Sequence, residues 1–448
     1  MKISIAYIER TVMIVIKRLK ADGFLIFDGG MGTMLQVHGL KGGEIPERLN
    51  ITKPDIIYKI HKEYADSGAD VITSNTFGAN IYKLEGSGLS CGDVIKGALK
   101  LAREAAGDKL VAQDIGPIGQ LMEPYGTLSF QDAYDAFKEQ VIAGADAGAD
   151  MILIETMSDI YEAKAAILAA KENSQLPLLC TMTFQADGRT LTGTDPLTMV
   201  NIISHLGVDA LGINCSLGPK DLIPLLAQVL KYSAIPVIVQ PNAGLPSILE
   251  GKTVYDLRPE RFGEYMAEMA EMGAVMLGGC CGTTPEHIRE LRKAITGLKP
   301  ARSKAGKLTA VSSATTTVVL GEGARIIGER INPTGKKRLK EALKNGDMDY
   351  ILREAVAQRD AGAHILDVNV GLPEIVNLPL QIDSVSPDVI EAAARACSGR
   401  PIINSVNGEK KVMDGIFPVA KKYGCLVVAL TLDENGIPEK AEDRLRIA

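Results

Sequence analysis

The chain has 448 residues, 46% of them apolar and 23% charged, which is the composition of a globular protein with enough chain for two cores. A net charge of −6, no Lys/Arg block, five scattered histidines and no Trp offer neither a phosphate-binding surface nor a base-stacking platform, so nucleic acid is not an expected partner. Seven cysteines, an odd count in so long a chain, imply a reducing cytoplasmic compartment with thiols free or metal-bound rather than a disulfide scaffold.

Residues 1–22 carry apolar runs broken by Glu9, Arg10 and Lys17. They are too short and too charged for a membrane span and lack a signal-peptide cleavage site. An extension ahead of the first strand is expected, with Met13 an alternative start. From residue 23 one unit recurs: a helix closes on glycine and a short apolar strand follows. The junctions are Ser67-Gly68-Ala69-Asp70, Ala147-Gly148-Ala149-Asp150, Leu206-Gly207-Val208-Asp209, Met272-Gly273-Ala274 and Ala361-Gly362-Ala363. Glycine suits the left-handed position that ends a helix.

Eight strands are predicted at 24–30, 71–77, 110–116, 151–157, 177–184, 210–216, 236–242 and 275–281. Their first halves are continuous Val/Ile/Leu/Met runs, as in parallel strands buried on both faces. Amphipathic helices lie between them, two with clear starts at Asp159 and at Thr284-Pro285-Glu286. Eight strand–helix units predict an α/β fold, a closed (β/α)8 TIM barrel over 23–297. An open doubly wound sheet is the alternative, but the glycines at 29–32 lack the spacing of a dinucleotide-binding loop.

Residues 298–320, rich in Lys, Ser, Thr and Ala, read as a linker ending in a short hairpin. Residues 321–448 carry five further strands, at 324–329, 364–370, 378–384, 401–406 and 426–432, which predict a partial second (β/α) barrel. Only residues 371–377 separate the second and third of these. A parallel crossover needs about a dozen residues, so this region either pairs differently or is an incomplete domain.

At the carboxyl ends of parallel barrel strands, side chains converge on one mouth. That rule gathers Asp28, Asn75, Thr76, Asp114, Glu155, Thr181, Asn214, Cys215, Asn242, Cys280 and Cys281. The three cysteines, on the sixth and eighth strands, either hold one zinc ion with a fourth position open or are buried inert thiols. Cys91, Cys180, Cys397 and Cys425 fit core or helix positions. An open position on a thiolate-bound zinc would take and deprotonate a substrate thiol. Asp28 and Glu155 would hold a cationic amine or merely cap the mouth. Asn75 and Thr76 extend the candidate substrate site. Asn242 would offer an amide oxygen to the metal, or serve only as a turn residue after Pro241.

These motifs resemble a known family. Residues 27–33 (FDGGMGT), 74–80 (SNTFGAN), 212–216 (GINCS), 240–244 (QPNAG) and 278–283 (GGCCGT) are similar to those of the zinc-dependent homocysteine S-methyltransferases, over about 22–297. The resemblance implies zinc on Cys215, Cys280 and Cys281, homocysteine sulfur as fourth ligand, its amino group on Asp28 and Glu155, and Asn242 near the metal. Residues 328–335 (GERINPTG), 366–371 (LDVNVG), 381–384 (QIDS) and 403–411 (INSVNGEKK) resemble the pterin-binding domain of cobalamin-dependent methionine synthases. That likeness implies pterin contacts from Asn332, Asp383 and Asn404, with Glu329, Asp367 and Asn369 nearby. It also implies 5-methyltetrahydrofolate as methyl source and methylcobalamin supplied in trans by another module or protein. The later strands and the cobalamin module of that family have no counterpart in the sequence. Two other expectations therefore stand beside it: a zinc-only methyltransferase using S-methylmethionine or betaine, and a non-catalytic fragment that binds zinc.

Overall fold

Glycine ends the helices where the repeating junctions predict. Gly68, Gly148, Gly207, Gly273 and Gly362 have φ of 102, 85, 81, 125 and 94°, the region in which a side chain would be strained. Two helix starts also fall as expected. Asp159 accepts the Tyr161 N–H at 2.7 Å, and Thr284 forms a reciprocal capping box with His287. The computed structural model describes residues 23–249, 252–301, 305–306, 308–369 and 377–448. The N-terminal extension and residues 370–376 lie outside the described residues.

The chain divides into two compact units, residues 1–192 with 208–306, and residues 193–207 with 307–448. In the first unit eight strands run parallel: β1 (Leu25–Ile26), β2 (Val71–Thr73), β3 (Leu110–Ile115), β4 (Met151–Met157), β5 (Leu178–Met182), β6 (Ala210–Asn214), β7 (Val237–Gln240) and β10 (Met276–Leu277). A short antiparallel ribbon, β8 (Ser247–Leu249) and β9 (Lys252–Val254), follows β7. The sheet order is β1-β10-β7-β6-β5-β4-β3-β2, and a parallel bridge from Phe27 to Val71 returns β1 to β2. This is the predicted (β/α)8 barrel. Its interior is filled by alternate residues of the strands, among them Leu25, Phe27, Val71, Met151, Leu153, Ile238 and Met276. Packing at the β6–β7 seam leaves no room for a side chain at Gly212, where a Cβ would lie 1.8 Å from the Ile238 carbonyl oxygen.

The aspartates that follow three of the junction glycines have a shared task. Asp70, Asp150 and Asp209 each accept a backbone N–H of the neighbouring strand, from Ile26, Val111 and Leu178, at 2.8–2.9 Å. Asp150 also pairs with Arg103 and is the most buried of the three. Asp150→Ala leaves the Val111 N–H without this acceptor and is expected to cost about 1–3 kcal/mol in urea unfolding. Asp150→Asn, which keeps a carbonyl oxygen, is expected to lose less.

His61 lies on the helix Pro54–Asp66, wholly buried, with neither ring nitrogen hydrogen-bonded among the described residues. Burial holds its pKa down at about 3. The folded chain therefore keeps His61 neutral, while the unfolded chain takes up a proton below about pH 6.5. Its contribution to stability is complete above that pH and is lost as pH falls toward 3, at up to about 1.4 kcal/mol per pH unit. Between about pH 7 and 4, unfolding free energies are expected to show wild type losing stability relative to His61→Leu as pH falls.

In the second unit, β11 (Ala310–Ser312) and β12 (Thr317–Val319) form an antiparallel ribbon, the expected hairpin. Five parallel strands then pair in chain order: β13 (Ile327–Ile331), β14 (Ile365–Val368), β15 (Leu380–Asp383), β16 (Ile402–Val406) and β17 (Leu426–Ala429). The short connection does not change the pairing: β14 and β15 lie side by side in parallel, Leu366 opposite Leu380. The helix Pro196–Ile203 belongs to this unit although β5 and β6 flank it in sequence. Buried Arg400 fastens it, with Nη1 donating to Asn201 Oδ1 at 2.9 Å and to Ala310 O at 3.0 Å. No helix among the described residues is long and apolar enough to cross a membrane.

Candidate metal and substrate site

The carboxyl ends of the barrel strands open on a cavity of about 380 Å³. Cys215 directly follows β6 and has φ 61°; its N–H donates to Gln240 O at 3.0 Å. Cys280 and Cys281 follow β10. Their N–H groups donate to Pro241 O at 2.9 Å and to Asn242 Oδ1 at 3.1 Å. Backbone bonds to the β7 end thus hold both cysteine segments. The three sulfurs lie within 4.8 Å of one another, with Cys215 Sγ and Cys281 Sγ 3.9 Å apart. A tetrahedral zinc with thiolates at about 2.3 Å separates its sulfurs by about 3.8 Å. Soft donors at this spacing fit zinc, and three of them leave one position open. Hydrogen bonds from Cys215 and Cys280 hold Cys281 as the thiolate, its pKa down at about 3. The four cysteines expected at core or helix positions lie elsewhere: Cys91, Cys180 and Cys397 are buried, Cys425 half-buried.

Four carboxyls, Asp28, Glu47, Asp114 and Glu155, line the cavity with the thiols. Glu47 is occupied by the Gly78 N–H, and burial raises its pKa. Asp28 accepts the Thr73 N–H at 2.9 Å, and burial pushes its pKa up to about 7. Glu155 is pushed up to about 8, by burial first and then by the charges of Cys215 and Asp28. Asp114 is raised by burial and by Glu155, and one of its oxygens has no partner among the described residues. Neither Lys, Arg nor His lines the cavity among the described residues. Burial favours the protonated form of these acids, and the Lys83 charge opposes it at Asp114 and Glu47; a cation entering the cavity would favour their charged form.

The remaining predicted residues of this half take other positions. Asn75 lines the cavity, but its amide donates to Pro46 O at 3.0 Å and to Asn50 Oδ1 at 2.9 Å. The Thr76 hydroxyl turns to Asp114 O at 2.7 Å. The Asn242 oxygen is engaged by the Cys281 N–H. Tyr255, which no sequence signal announces, lines the cavity, and its hydroxyl helps hold the Cys281 pKa down. Its ring occupies the space over Gly282, where a Cβ would approach within 2.2 Å. Tyr255 follows the β8–β9 ribbon, an insertion whose length and composition carry no motif.

In the second unit the strand-end residues form a hydrogen-bonded group. Asp383 Oδ2 accepts from Asn332 Nδ2 at 2.8 Å and from Asn369 Nδ2 at 3.0 Å. Asn404 sits opposite Asp383 on β16. Asp367 is buried and accepts from Gln381. Glu329 differs: its exposed carboxylate pairs with Lys336 at 3.3 Å.

A parallel eight-stranded barrel with three clustered cysteines at its carboxyl mouth defines an α/β-barrel protein whose thiols could hold a metal ion. The family model for homocysteine S-methyltransferases matches residues 25–295, and that for pterin-binding enzymes matches 370–446. The chain belongs to the homocysteine S-methyltransferase family. It is 32% identical over 474 aligned positions to the methionine synthase of Mycobacterium tuberculosis (strain ATCC 25618 / H37Rv), covering 95% of this chain and 39% of that protein. The methionine synthase of Mycobacterium leprae (strain TN) is also 32% identical, over 96% of this chain and 40% of that protein. The chain thus spans about two fifths of the length of these relatives. Among solved structures, the homocysteine methyltransferase MmuM from Escherichia coli in its metallated form aligns with TM-score 0.54 and 23% identity, over 63% of this chain and 99% of that one. Its oxidized form gives 0.53 and 24%, over 61% and 97%. At that identity the likeness supports the barrel fold alone.

Proposed function

We propose that the chain transfers a methyl group to homocysteine and yields methionine. The observation that carries this reading is one cavity whose lining holds three clustered thiols and four carboxyls and, among the described residues, no Lys, Arg or His. Cys215, Cys280 and Cys281 would hold zinc, which when bound lowers the proton affinity of a fourth thiol and keeps it nucleophilic. Asp28 and Glu155 would take the substrate's ammonium and ionise as they do so, since the cation offsets the burial that now keeps them protonated. Holding the amine fixes the sulfur's direction of attack. The substrate sulfur then bonds the methyl carbon as the donor's bond to that carbon breaks. Tyr255 and Gly282 close the cavity beside Cys281.

The methyl source is proposed to be 5-methyltetrahydrofolate, by way of methylcobalamin held on another module or protein. The pterin-binding match at 370–446 and the longer methionine synthases support it. Asn332, Asp383, Asn404 and Asn369 would face the pterin, with Asp367 bracing β14 against β15. Glu329, paired with Lys336, is the least suited of the set. We also propose the division of the sequence into a homocysteine half at 23–297 and a pterin half at 321–448, joined by 298–320. The thiols and carboxyls all lie within the first unit, which supports, as second reading, a donor used without cobalamin. Zinc-loaded protein with homocysteine is to be assayed for methionine with methylcobalamin, S-methylmethionine or betaine in turn. Turnover with methylcobalamin alone supports the first reading, and turnover with either onium donor the second. No methionine from any of the three refutes both.

A further inference from the structure

Strand β4 does not reach the barrel mouth in regular register. Its ladder with β5 slips between Ile154 and Met157, and Thr156 has φ 60°. A bulge of this kind takes a backbone N–H out of the sheet. The Thr156 N–H donates instead to the side-chain oxygen of Asn214, at 2.9 Å. A backbone N–H can only donate, so this contact fixes which end of the amide is oxygen. The same oxygen accepts the Thr181 hydroxyl at 2.8 Å. The amide nitrogen then points to the site: it donates to Thr156 Oγ1 at 2.8 Å and lies 3.5 Å from Glu155 Oε2 and 3.9 Å from Cys280 Sγ. Asn214 is wholly buried, and the next two residues, Cys215 and Ser216, are themselves left-handed at φ 61 and 60°.

One amide therefore ties the ends of β4, β5 and β6 together and stands between the carboxylate and the thiols. Alternation from Met151 and Leu153 already turns Glu155 inward. What alternation leaves unspecified is where the irregular end of β4 holds the carboxylate. We propose that Asn214 is a positioning residue that clamps the Glu155–Thr156 bulge, and so sets the preference for a thiol that carries an amine. The inference rests on the reading that Glu155 receives the homocysteine ammonium.

The test is calorimetric titration of the zinc-loaded full chain with homocysteine and with 4-mercaptobutanoate, the same thiol without its amine. In Asn214→Ala, zinc stoichiometry is expected to stay at the wild-type value and homocysteine affinity to fall about 10-fold or more. The des-amino thiol is expected to bind within about 2-fold of wild type, because its sulfur does not use the carboxylate. Thr156→Gly tolerates the left-handed turn but removes the hydroxyl that receives the amide, and is expected to lose preference in the same direction. In a Glu155→Gln background, Asn214→Ala is expected to add nothing, since both act through one carboxylate. Equal weakening of both thiols, or an additive loss in the Glu155→Gln background, overturns the proposal. So does zinc loss in Asn214→Ala together with full amine preference in Thr156→Gly. If wild type binds the two thiols equally, it is the assignment of Glu155 to the amine that fails, and the inference fails with it.

Discussion

Cys215→Ala is expected to lose stoichiometric zinc and to reduce methyl transfer by about 1000-fold or more, the equivalent of about 4 kcal/mol of transition-state stabilisation. Cys280 and Cys281 are adjacent on one loop, whereas Cys215 comes from the end of β6 and completes the cluster from the other side. Two thiols on neighbouring residues cannot enclose an ion as three can. The barrel itself should survive, because Cys215 is only half-buried at the mouth and contributes no interior packing. Cys180→Ala is the matched control. That thiol is wholly buried on β5, so its loss should lower thermal stability and leave zinc unchanged. Zinc by atomic emission and methionine formation on the same preparations check both expectations. A Cys215→Ala variant with full zinc and full rate would refute the assignment of the thiols.

The second large effect concerns the carboxyls. The double variant Asp28→Asn with Glu155→Gln removes both acids proposed to receive the ammonium while keeping their shape. Each charge-assisted hydrogen bond is worth about 1.5–3 kcal/mol, so KM for homocysteine is expected to rise about 100-fold or more. Zinc content should not change, and turnover at saturating homocysteine should fall far less than kcat/KM. Steady-state kinetics over a wide homocysteine range separates the two parameters. An unchanged KM would mean that the acids serve only the architecture, Asp28 through its bond to the Thr73 N–H.

How far the sequence led depended on what each residue's position decides. The helix-closing glycines and the apolar runs after them define strand ends, and a parallel barrel brings strand ends to one mouth. That is why Cys215 and Cys280, 65 positions apart, were legible as neighbours. Strand-end position does not decide which way a side chain turns. Asn75 and Thr76 lie at the β2 end as expected, yet Asn75 clamps Asn50 and Thr76 bonds the Asp114 carbonyl. Those partners come from elsewhere in the fold, where periodicity carries no information. Tyr255 was hidden for the same reason, since its place follows from its ring packing over Gly282. The helix Pro196–Ile203 lies between two barrel strands in sequence, but buried Arg400, 199 positions beyond Asn201, fixes it in the second unit. Thr156, Cys215 and Ser216 adopt left-handed backbone without being glycine, and strain of that kind is held by surroundings that no local pattern reveals. In the second unit, Asn332, Asn369 and Asp383 do meet, while Glu329 turns to Lys336 because its side of β13 is exposed.

X-ray absorption at the zinc edge, on zinc-loaded protein before and after homocysteine is added, tests the central claim most directly. Three sulfur ligands and one lighter atom from the chain or solvent are expected at the start, and four sulfurs once homocysteine is present. A zinc bound mainly by nitrogen and oxygen, or a sulfur count that homocysteine leaves unchanged, would contradict a thiol-activating centre at Cys215, Cys280 and Cys281.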